Sequence, residues 1–221
     1  MRVRSATVSI KLALLTVHAT AVRVAVGREL PHRLPFIASD SGDLLDHQAR
    51  MLLQKVTGTE QAYIEQLYTF SFDARTEGQV VVSYLALAPS DTNLGDTYDW
   101  VEQANAFPLL GSPDQLVLEY GLIRLRAKIG YTTIAFHLMP ESFTLGELQQ
   151  TYESILSRPL DPRNFRRRMV SSGLLEAENR LRREGKHRPA ALYRFSGAHD
   201  PASYLTPLAG TLDPVNGAQP R

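Results

Sequence analysis

Asp161-Pro-Arg-Asn-Phe-Arg-Arg-Arg-Met169 is the stretch of this 221-residue chain that decides the fold of its C-terminal part. Asp161 is a favourable N-cap residue and Pro162 suits the first position of a helix, so the stretch predicts a helix that begins at Pro162. Phe165 and Met169 lie four residues apart, and we expect both to point into a core. The other side chains then face outward near the start of the helix: Arg163, Asn164, Arg166 and Arg167.

Another helix is predicted immediately before this one. Thr144 and Glu147 have the spacing of a capping box, in which each side chain satisfies a free amide at the start of a helix. Apolar side chains then recur at helical spacing: Leu145, Leu148, Tyr152, Ile155 and Leu156. Because Pro159 ends this helix, a tight turn joins the two helices, as in a helix-turn-helix.

A basic β-hairpin is predicted after the two helices. Gly173 ends the second helix, and residues 174–178 and 189–195 can pair as antiparallel strands. The connection between these strands is basic: Arg180, Arg182, Arg183, Lys186 and Arg188. A basic hairpin after a recognition helix is a wing, which is well placed to contact DNA phosphates or the minor groove.

These elements, in this order, predict a winged helix-turn-helix that binds double-stranded DNA. Arginine can donate two hydrogen bonds to guanine and asparagine can pair with adenine, so the outward side chains of the second helix suit base recognition. The alternative interpretation is that the arginine-rich helix is a solvated charged face and the hairpin an incidental surface loop.

The charge distribution favours the DNA-binding interpretation. Residues 1–140 carry 12 Lys and Arg against 14 Asp and Glu, whereas residues 141–195 carry 11 against 7. Charge segregated in this way suggests a polyanion-binding module attached to a neutral one. The chain has no cysteine, which excludes disulfides, cysteine nucleophiles and cysteine metal ligands. We expect a cytoplasmic protein, and a signal peptide at the N-terminus is a minor alternative.

The first 110 residues predict a mixed α/β domain. Val8, Ile10, Leu12 and Leu14 alternate with Ser9 and Lys11, which indicates a strand with those two polar residues on the opposite face. A second strand follows through Val26, and residues 63–72 and 79–88 predict two more, connected by residues 73–78. Residues 44–56 predict a helix that Asp43 caps and Gly58 ends, residues 89–99 a polar loop, and residues 116–129 a linking helix.

Several of these stretches resemble the Nudix-related transcriptional regulators of the NrtR type. The resemblance lies in residues 122–136, Phe143-Thr-Leu-Gly-Glu-Leu-Gln149, residues 160–168 and residues 188–195, with weaker similarity in residues 64–70 and 83–89. Proteins of this family, best known as regulators of NAD metabolism, pair an N-terminal Nudix-like domain with a C-terminal winged helix. The resemblance therefore implies an α+β protein with a Nudix-like α/β/α sandwich and a winged helix-turn-helix.

The Nudix box is degenerate in this chain. With the last glycine of the motif placed on Gly58, Leu52, Lys55 and Val56 stand where an active Nudix hydrolase has glutamates that bind divalent cations. An ammonium group and two apolar side chains cannot supply the carboxylate oxygens that such a site needs. We therefore expect no metal site, no cofactor and no catalytic residues.

The resemblance implies a repressor of a pseudo-palindromic operator, with a Nudix-like domain that senses ADP-ribose or a sugar metabolite. Arg28 and Arg33 are candidate contacts for an anionic ligand, although exposed loop arginines are common. Two alternatives remain open: a pyrophosphohydrolase with an unorthodox site, and a constitutive DNA binder that uses the Nudix-like domain only for dimerisation.

The expected organisation has four parts. Residues 1–113 form the Nudix-like sensor domain, residues 114–140 the linker helix and the start of the winged-helix domain, and residues 141–195 the winged helix-turn-helix. Residues 196–221 are a poorly ordered tail, since they are rich in Gly, Pro and Ala. We expect a homodimer, because one recognition helix covers only a few base pairs, and no association with membranes.

Overall fold

The structure is a computed structural model, and it describes residues 7–39, 42–59, 62–72, 79–182 and 189–197. The chain divides into two compact units. Met1–Thr16 and Val22–Arg124 form the first unit, and Val17–Ala21 and Leu125–Arg221 form the second. Among the described residues, no helix is long and apolar enough to cross a membrane.

Six strands form one mixed sheet: β1 (Thr7–His18), β2 (Ala21–Gly27), β3 (Phe36–Ala38), β4 (Tyr63–Phe72), β5 (Gln79–Leu87) and β6 (Tyr98–Glu102). Their order is β4-β5-β1-β2-β6, and β3 pairs with β1. β1 and β5 run parallel with Leu12 opposite Tyr84, whereas β4 is antiparallel to β5 and β6 is antiparallel to β2. The strands predicted through residue 26 and at 63–72 and 79–88 are thereby confirmed, whereas their connection, 73–78, lies outside the described residues.

Lys11 lies on the face of β1 opposite Leu12, as the alternation predicts, but both faces of the strand are buried. Leu12 packs in a cluster with Leu52 of α1 (Leu45–Thr57), while Lys11 forms an ion pair with Asp114 of α3 (Ser112–Lys128). β1 is a central strand of the sheet and is covered on both faces, so its alternating residues do not mark a solvent-exposed face. Gly121 permits the close approach of α3, because a Cβ at this position would lie 2.8 Å from Cβ of Ala13.

The predicted end of α1 is confirmed, but its predicted start is wrong. Gly58 follows the helix in the left-handed conformation, with φ of 71°, which glycine adopts without strain. Asp43 is not the N-cap; Leu44 occupies that position and makes no side-chain cap. Gln48 instead donates from Nε2 to the backbone oxygen of Asp43 at 2.9 Å, so a helical glutamine anchors this turn.

The strand β6 and a short helix, which follow β5, are two elements that the sequence does not predict. The expected polar loop 89–99 ends two residues early, because Tyr98 and Asp99 already belong to β6, which pairs with β2 at the edge of the sheet. The four-residue helix α2 (Gln103–Ala106) comes next, and α3 begins four residues before the predicted start at 116. An edge strand as short and polar as β6 has no distinctive hydrophobic pattern.

The second unit contains the predicted pair of helices and a small sheet. Its elements are β7 (Phe143–Thr144), α4 (Leu145–Leu156), α5 (Pro162–Ser171), β8 (Leu175–Arg182) and β9 (Ala190–Phe195). The strands pair antiparallel in the order β7-β9-β8. The capping box at α4 and the caps of α5, Asp161 and Pro162, are confirmed. Of the expected tail, residues 198–221 lie outside the described residues.

Candidate functional site

α5 presents its arginines to solvent because its two apolar side chains hold the opposite face. Phe165 and Met169 are buried, and the Phe165 ring meets Tyr152 of α4 edge to face, with 5.3 Å between the centroids. The helix starts where Oδ1 of Asp161 accepts a hydrogen bond of 2.8 Å from the backbone amide of Asn164. This packing leaves three arginines exposed on the outer face: Arg163, Arg166 and Arg167.

The outer face of α5 offers hydrogen-bond donors. Arg167 donates from Nη2 to Oδ1 of Asn164 at 2.6 Å, which engages one of the two lone pairs of the asparagine oxygen and leaves its NH₂ group as a donor. Within the described part of the chain, neither Arg163 nor Arg166 forms a salt bridge. Unpaired guanidinium groups at a helix start can bind DNA phosphates or the acceptors of guanine.

The basic residues of the hairpin differ in their surroundings. Arg180 and Arg182 lie within β8 and not in the hairpin tip, which corrects the predicted strand end at 178. Arg180 is 76% exposed and its nearest carboxylate, that of Glu178, is 3.9 Å away. Arg182 is bound by the protein itself, through Glu147 and Ser142. The predicted DNA contacts Arg183, Lys186 and Arg188 lie outside the described residues.

One further arginine near this surface is paired. Arg194 of β9 donates to the Glu176 carboxylate of β8, and this hydrogen bond raises the pKa of the guanidinium above its ordinary value. The pair joins neighbouring strands at positions that face each other in the sheet register. Arg194 therefore ties the hairpin together, whereas Arg163 and Arg166 of α5 form no salt bridge within the described residues.

The first unit contains a cavity of about 240 Å³ between the segment after β2 and the start of β6. Its lining includes Glu29, Arg33, Leu34, Phe36 and Tyr98. The Phe36 ring lies close to two cations, with its centroid 5.3 Å from Cζ of Arg33 and 5.6 Å from Nζ of Lys11. The cavity thus combines aromatic surface with one arginine and one glutamate, while Lys11 does not line it and is paired with Asp114. Such a lining suits a planar ligand with an anionic group that can reach Arg33.

The two predicted ligand contacts have different positions. Arg33 lines the cavity, whereas Arg28 points to the edge of the sheet and donates from Nη2 to Oδ1 of Asp99 at 2.8 Å. This hydrogen bond raises the pKa of the Arg28 guanidinium above its ordinary value. Sequence reasoning missed Phe36 and Tyr98; aromatic residues within otherwise irregular or polar stretches were the signal that could have found them.

The Nudix-box positions do not fit a divalent cation. Leu52 and Val56 are 4% and 3% exposed and pack in the apolar cluster beneath β1, while Lys55 is exposed. Over the described ranges, no group of three or more His, Asp or Glu residues could hold a metal ion. A magnesium site requires several oxygen ligands, and this face of α1 supplies none at the three positions.

Comparison with known proteins relates both units to one type of architecture. The family model of the NrtR DNA-binding winged helix domain matches residues 135–195. The ADPR responsive transcriptional repressor NtrR of Acinetobacter baylyi is 37% identical over 155 residues, which are 66% of this chain and 61% of the relative. The chain thus matches about three fifths of the length of this curated relative.

Solved structures extend the similarity to the whole fold. A crystal structure of Shewanella oneidensis NrtR complexed with a 27mer DNA matches with a TM-score of 0.76 and 26% identity, over 85% of this chain and 93% of that chain. A MutT/nudix family protein from Enterococcus faecalis matches with a TM-score of 0.65 and 16% identity over 88% of each chain, and it shows the fold alone. The expected fold, a Nudix-like domain joined to a winged helix, is confirmed.

Proposed function

We propose that this chain is a Nudix-related transcriptional regulator, a repressor whose winged helix binds an operator in response to a small effector. In this proposal residues 1–113 are the sensor, residues 114–140 the linker and residues 141–195 the DNA reader. A protein that acts on chromosomal operators works in the cytoplasm. The matching winged-helix model and the relative that is named an ADPR responsive repressor both support the proposal.

The observation that carries the proposal is the outer face of α5. Arg163 and Arg166 are exposed at the start of a helix whose other face is fixed in a core, and a hairpin with the exposed Arg180 follows. Recognition helices of helix-turn-helix proteins contact base edges with residues near their N-termini. Arginines near the positive end of the helix dipole favour an anionic partner, which supports binding to a polyanion.

A titration with DNA tests the proposal directly. The full chain is added to labelled duplex from its own promoter region, and to a scrambled duplex of equal composition, at two salt concentrations. We expect tighter binding to the promoter duplex, and a steep loss of affinity at the higher salt because arginine contacts release condensed counterions. Absence of binding to either duplex at low salt would contradict the proposal.

We place the effector site in the cavity that Arg33 and Phe36 line. The relative is ADPR responsive by name, and ADP-ribose offers a planar base for the Phe36 ring and a diphosphate for the Arg33 guanidinium. At about 240 Å³ the cavity is smaller than sites for whole drug-sized ligands, so it would hold one part of such a molecule, or a smaller sugar metabolite. If added ADP-ribose leaves DNA binding unchanged, the constitutive alternative is favoured.

Metal-dependent hydrolysis is not part of the proposed function. Leu52, Lys55 and Val56 leave no carboxylate at three positions of the Nudix box, so pyrophosphate hydrolysis has no cation to polarise the phosphate. Incubation of ADP-ribose with the protein and magnesium or manganese is expected to release no AMP above a buffer control, with an active Nudix hydrolase as positive control. Metal-dependent release of AMP would support the pyrophosphohydrolase alternative.

The proposed regulator acts as a two-fold dimer. A symmetric dimer places two recognition helices on two half-sites, which lie about 10 base pairs, or a multiple of this distance, apart. An effector that changes the spacing of the two readers would then change DNA affinity without contacting DNA. Sedimentation of the protein alone and with operator duplex measures the stoichiometry, and a single chain per duplex would contradict this part of the proposal.

A further inference from the structure

Arg182 has a different environment from the other basic residues of the described hairpin. Its Nη1 donates to Oε1 of Glu147 at 2.6 Å, and its Nη2 donates to the backbone oxygen of Ser142 at 3.1 Å. Only 32% of the side chain is exposed, compared with 76% for Arg180 two residues earlier. The guanidinium group is thus oriented by two acceptors that lie on a different segment from β8.

Glu147 joins this contact to the start of α4. Its second oxygen, Oε2, accepts a hydrogen bond of 2.6 Å from the backbone amide of Thr144, and Oγ1 of Thr144 accepts one of 3.2 Å from the amide of Glu147. The same carboxylate therefore completes the capping box and binds the hairpin. Since α4 packs on α5 through Tyr152 and Phe165, the contact lies one helix away from the recognition surface.

A second contact connects the same two segments. Oγ of Ser142 donates to Oε1 of Glu178 at 2.6 Å, so both Glu178 and Arg182 attach β8 to the residues just before α4. The pairing register of β8 with β9 is irregular between Ala177 and Leu181, where a ladder of regular backbone pairs is interrupted. Side-chain contacts thus fix the position of β8 along the part of the strand where its backbone pairing with β9 is interrupted.

We infer that Arg182 is a positioning residue, which fixes the angle of the wing relative to α4 and α5, and that it does not bind DNA phosphates. The inference rests on the proposed function, because it concerns how the DNA-binding surface is arranged. If Arg182 turned to a phosphate, the Glu147 carboxylate would lose its counter-charge close to a polyanion, which disfavours that arrangement. Of the two arginines of β8, Arg180 is the more accessible to a phosphate, since it is 76% exposed and lies 3.9 Å from the Glu178 carboxylate.

The salt dependence of DNA binding separates the two roles. A residue that neutralises a phosphate contributes about 0.9 to the slope of log K against log salt, whereas a positioning residue contributes nothing. We expect Arg180→Ala to reduce the slope by about this amount. Arg182→Ala is expected to weaken promoter binding about tenfold with an unchanged slope, because the fold-change follows from losing charge-assisted hydrogen bonds that order the wing.

Two conservative variants sharpen the test. Arg182→Lys keeps the charge but not the forked geometry, so it should behave like Arg182→Ala, whereas a phosphate contact would be largely retained by lysine. Glu147→Gln keeps a side chain that can complete the capping box but removes the charge that binds Arg182. We expect Glu147→Gln combined with Arg182→Ala to bind no more weakly than the weaker of the two single variants.

All variants are measured as full chains on the promoter duplex, at a temperature well below the unfolding transition of each. A smaller slope for Arg182→Ala, or wild-type affinity for Arg182→Lys, would overturn the inference while leaving the proposed function intact. A lower melting temperature with unchanged DNA affinity would also overturn it, because the contact would then serve stability alone. No DNA binding by the wild type would remove the proposed function, and the inference with it.

Discussion

Asn164 accepts a hydrogen bond of 2.6 Å at Oδ1 from Nη2 of Arg167, one turn further along α5. Bidentate recognition of adenine needs that oxygen, because the asparagine carbonyl must accept from the adenine amino group while the NH₂ group donates to N7. Because the bond to Arg167 engages one lone pair and orients the amide along the helix, the outer face of α5 presents mainly donors to DNA. Such a face matches guanine, which offers two acceptors in the major groove.

Arg167→Ala is therefore expected to change base preference as well as affinity. The substitution removes the hydrogen bond that orients the Asn164 amide, so that the amide can turn its oxygen and NH₂ group together towards an adenine. Binding to a pool of randomised duplexes, followed by sequencing of the bound fraction, measures this preference. Selection of the same base by wild type and Arg167→Ala would show that the Asn164–Arg167 pair does not govern recognition.

The unpaired arginines of α5 should contribute to sequence discrimination. Arg163→Ala and Arg166→Ala are each expected to cost about 1–3 kcal/mol on the operator and to relax sequence preference. Arg50→Ala is the matched control, since it removes one exposed arginine from α1. Each variant is measured on operator and scrambled duplexes.

The contrast between the two duplexes decides the role of these arginines. Substitution of a residue that contacts only phosphates weakens binding to both duplexes alike. We expect this behaviour of Lys186→Ala and Arg188→Ala. An equal loss on both duplexes for Arg163→Ala and Arg166→Ala would mean that α5 does not read bases.

Arg33 should bind the effector and Arg28 should not. A hydrogen bond to a charged group contributes about 1.5–3 kcal/mol, so Arg33→Ala is expected to weaken ADP-ribose binding by at least tenfold. Arg28→Ala removes the same charge from the neighbouring surface, where Arg28 is already paired with Asp99, and serves as the control. Isothermal titration of both variants measures the difference, and equal affinities would place the effector elsewhere.

The buried pair of Lys11 and Asp114 should be essential for the stability of the first unit. Both side chains are less than 10% exposed, at 7% and 6%, so removing one leaves the other as an unpaired buried charge. Lys11→Met is expected to lower the free energy of unfolding by about 3–5 kcal/mol. Adding Asp114→Leu should restore most of this loss. Urea unfolding of the three proteins measures the free energies, and a double variant less stable than Lys11→Met would contradict the argument.

Local signals made the second unit largely predictable. The Thr144–Glu147 capping box, the Asp161 cap and the buried pair of Phe165 and Met169 all appear in the structure as expected. Each depends on residues within a few positions of one another, where spacing alone determines geometry. The helix-turn-helix could therefore be predicted from its own sequence.

Contacts between distant segments could not be predicted in the same way. Lys11 and Asp114 lie 103 positions apart, so the alternation along β1 placed Lys11 opposite Leu12 but could not show that α3 covers that face with a carboxylate. Arg182 and Glu147 are 35 positions apart, so composition showed a basic hairpin but not which of its arginines is already bound. The roles of individual charged residues depend on such pairings.

The apolar side chains on the buried face of α1 oppose the return of carboxylates to the Nudix box. Leu52 and Val56 fill the cluster that includes Leu12 and Leu53, and a glutamate introduced at either position would bury a carboxylate among apolar groups. A single glutamate at position 52 or 56 is therefore expected to lower the stability of this unit, whereas the exposed position of Lys55 can carry a carboxylate without this cost. The core has thereby made the absence of carboxylates at the two buried positions hard to reverse.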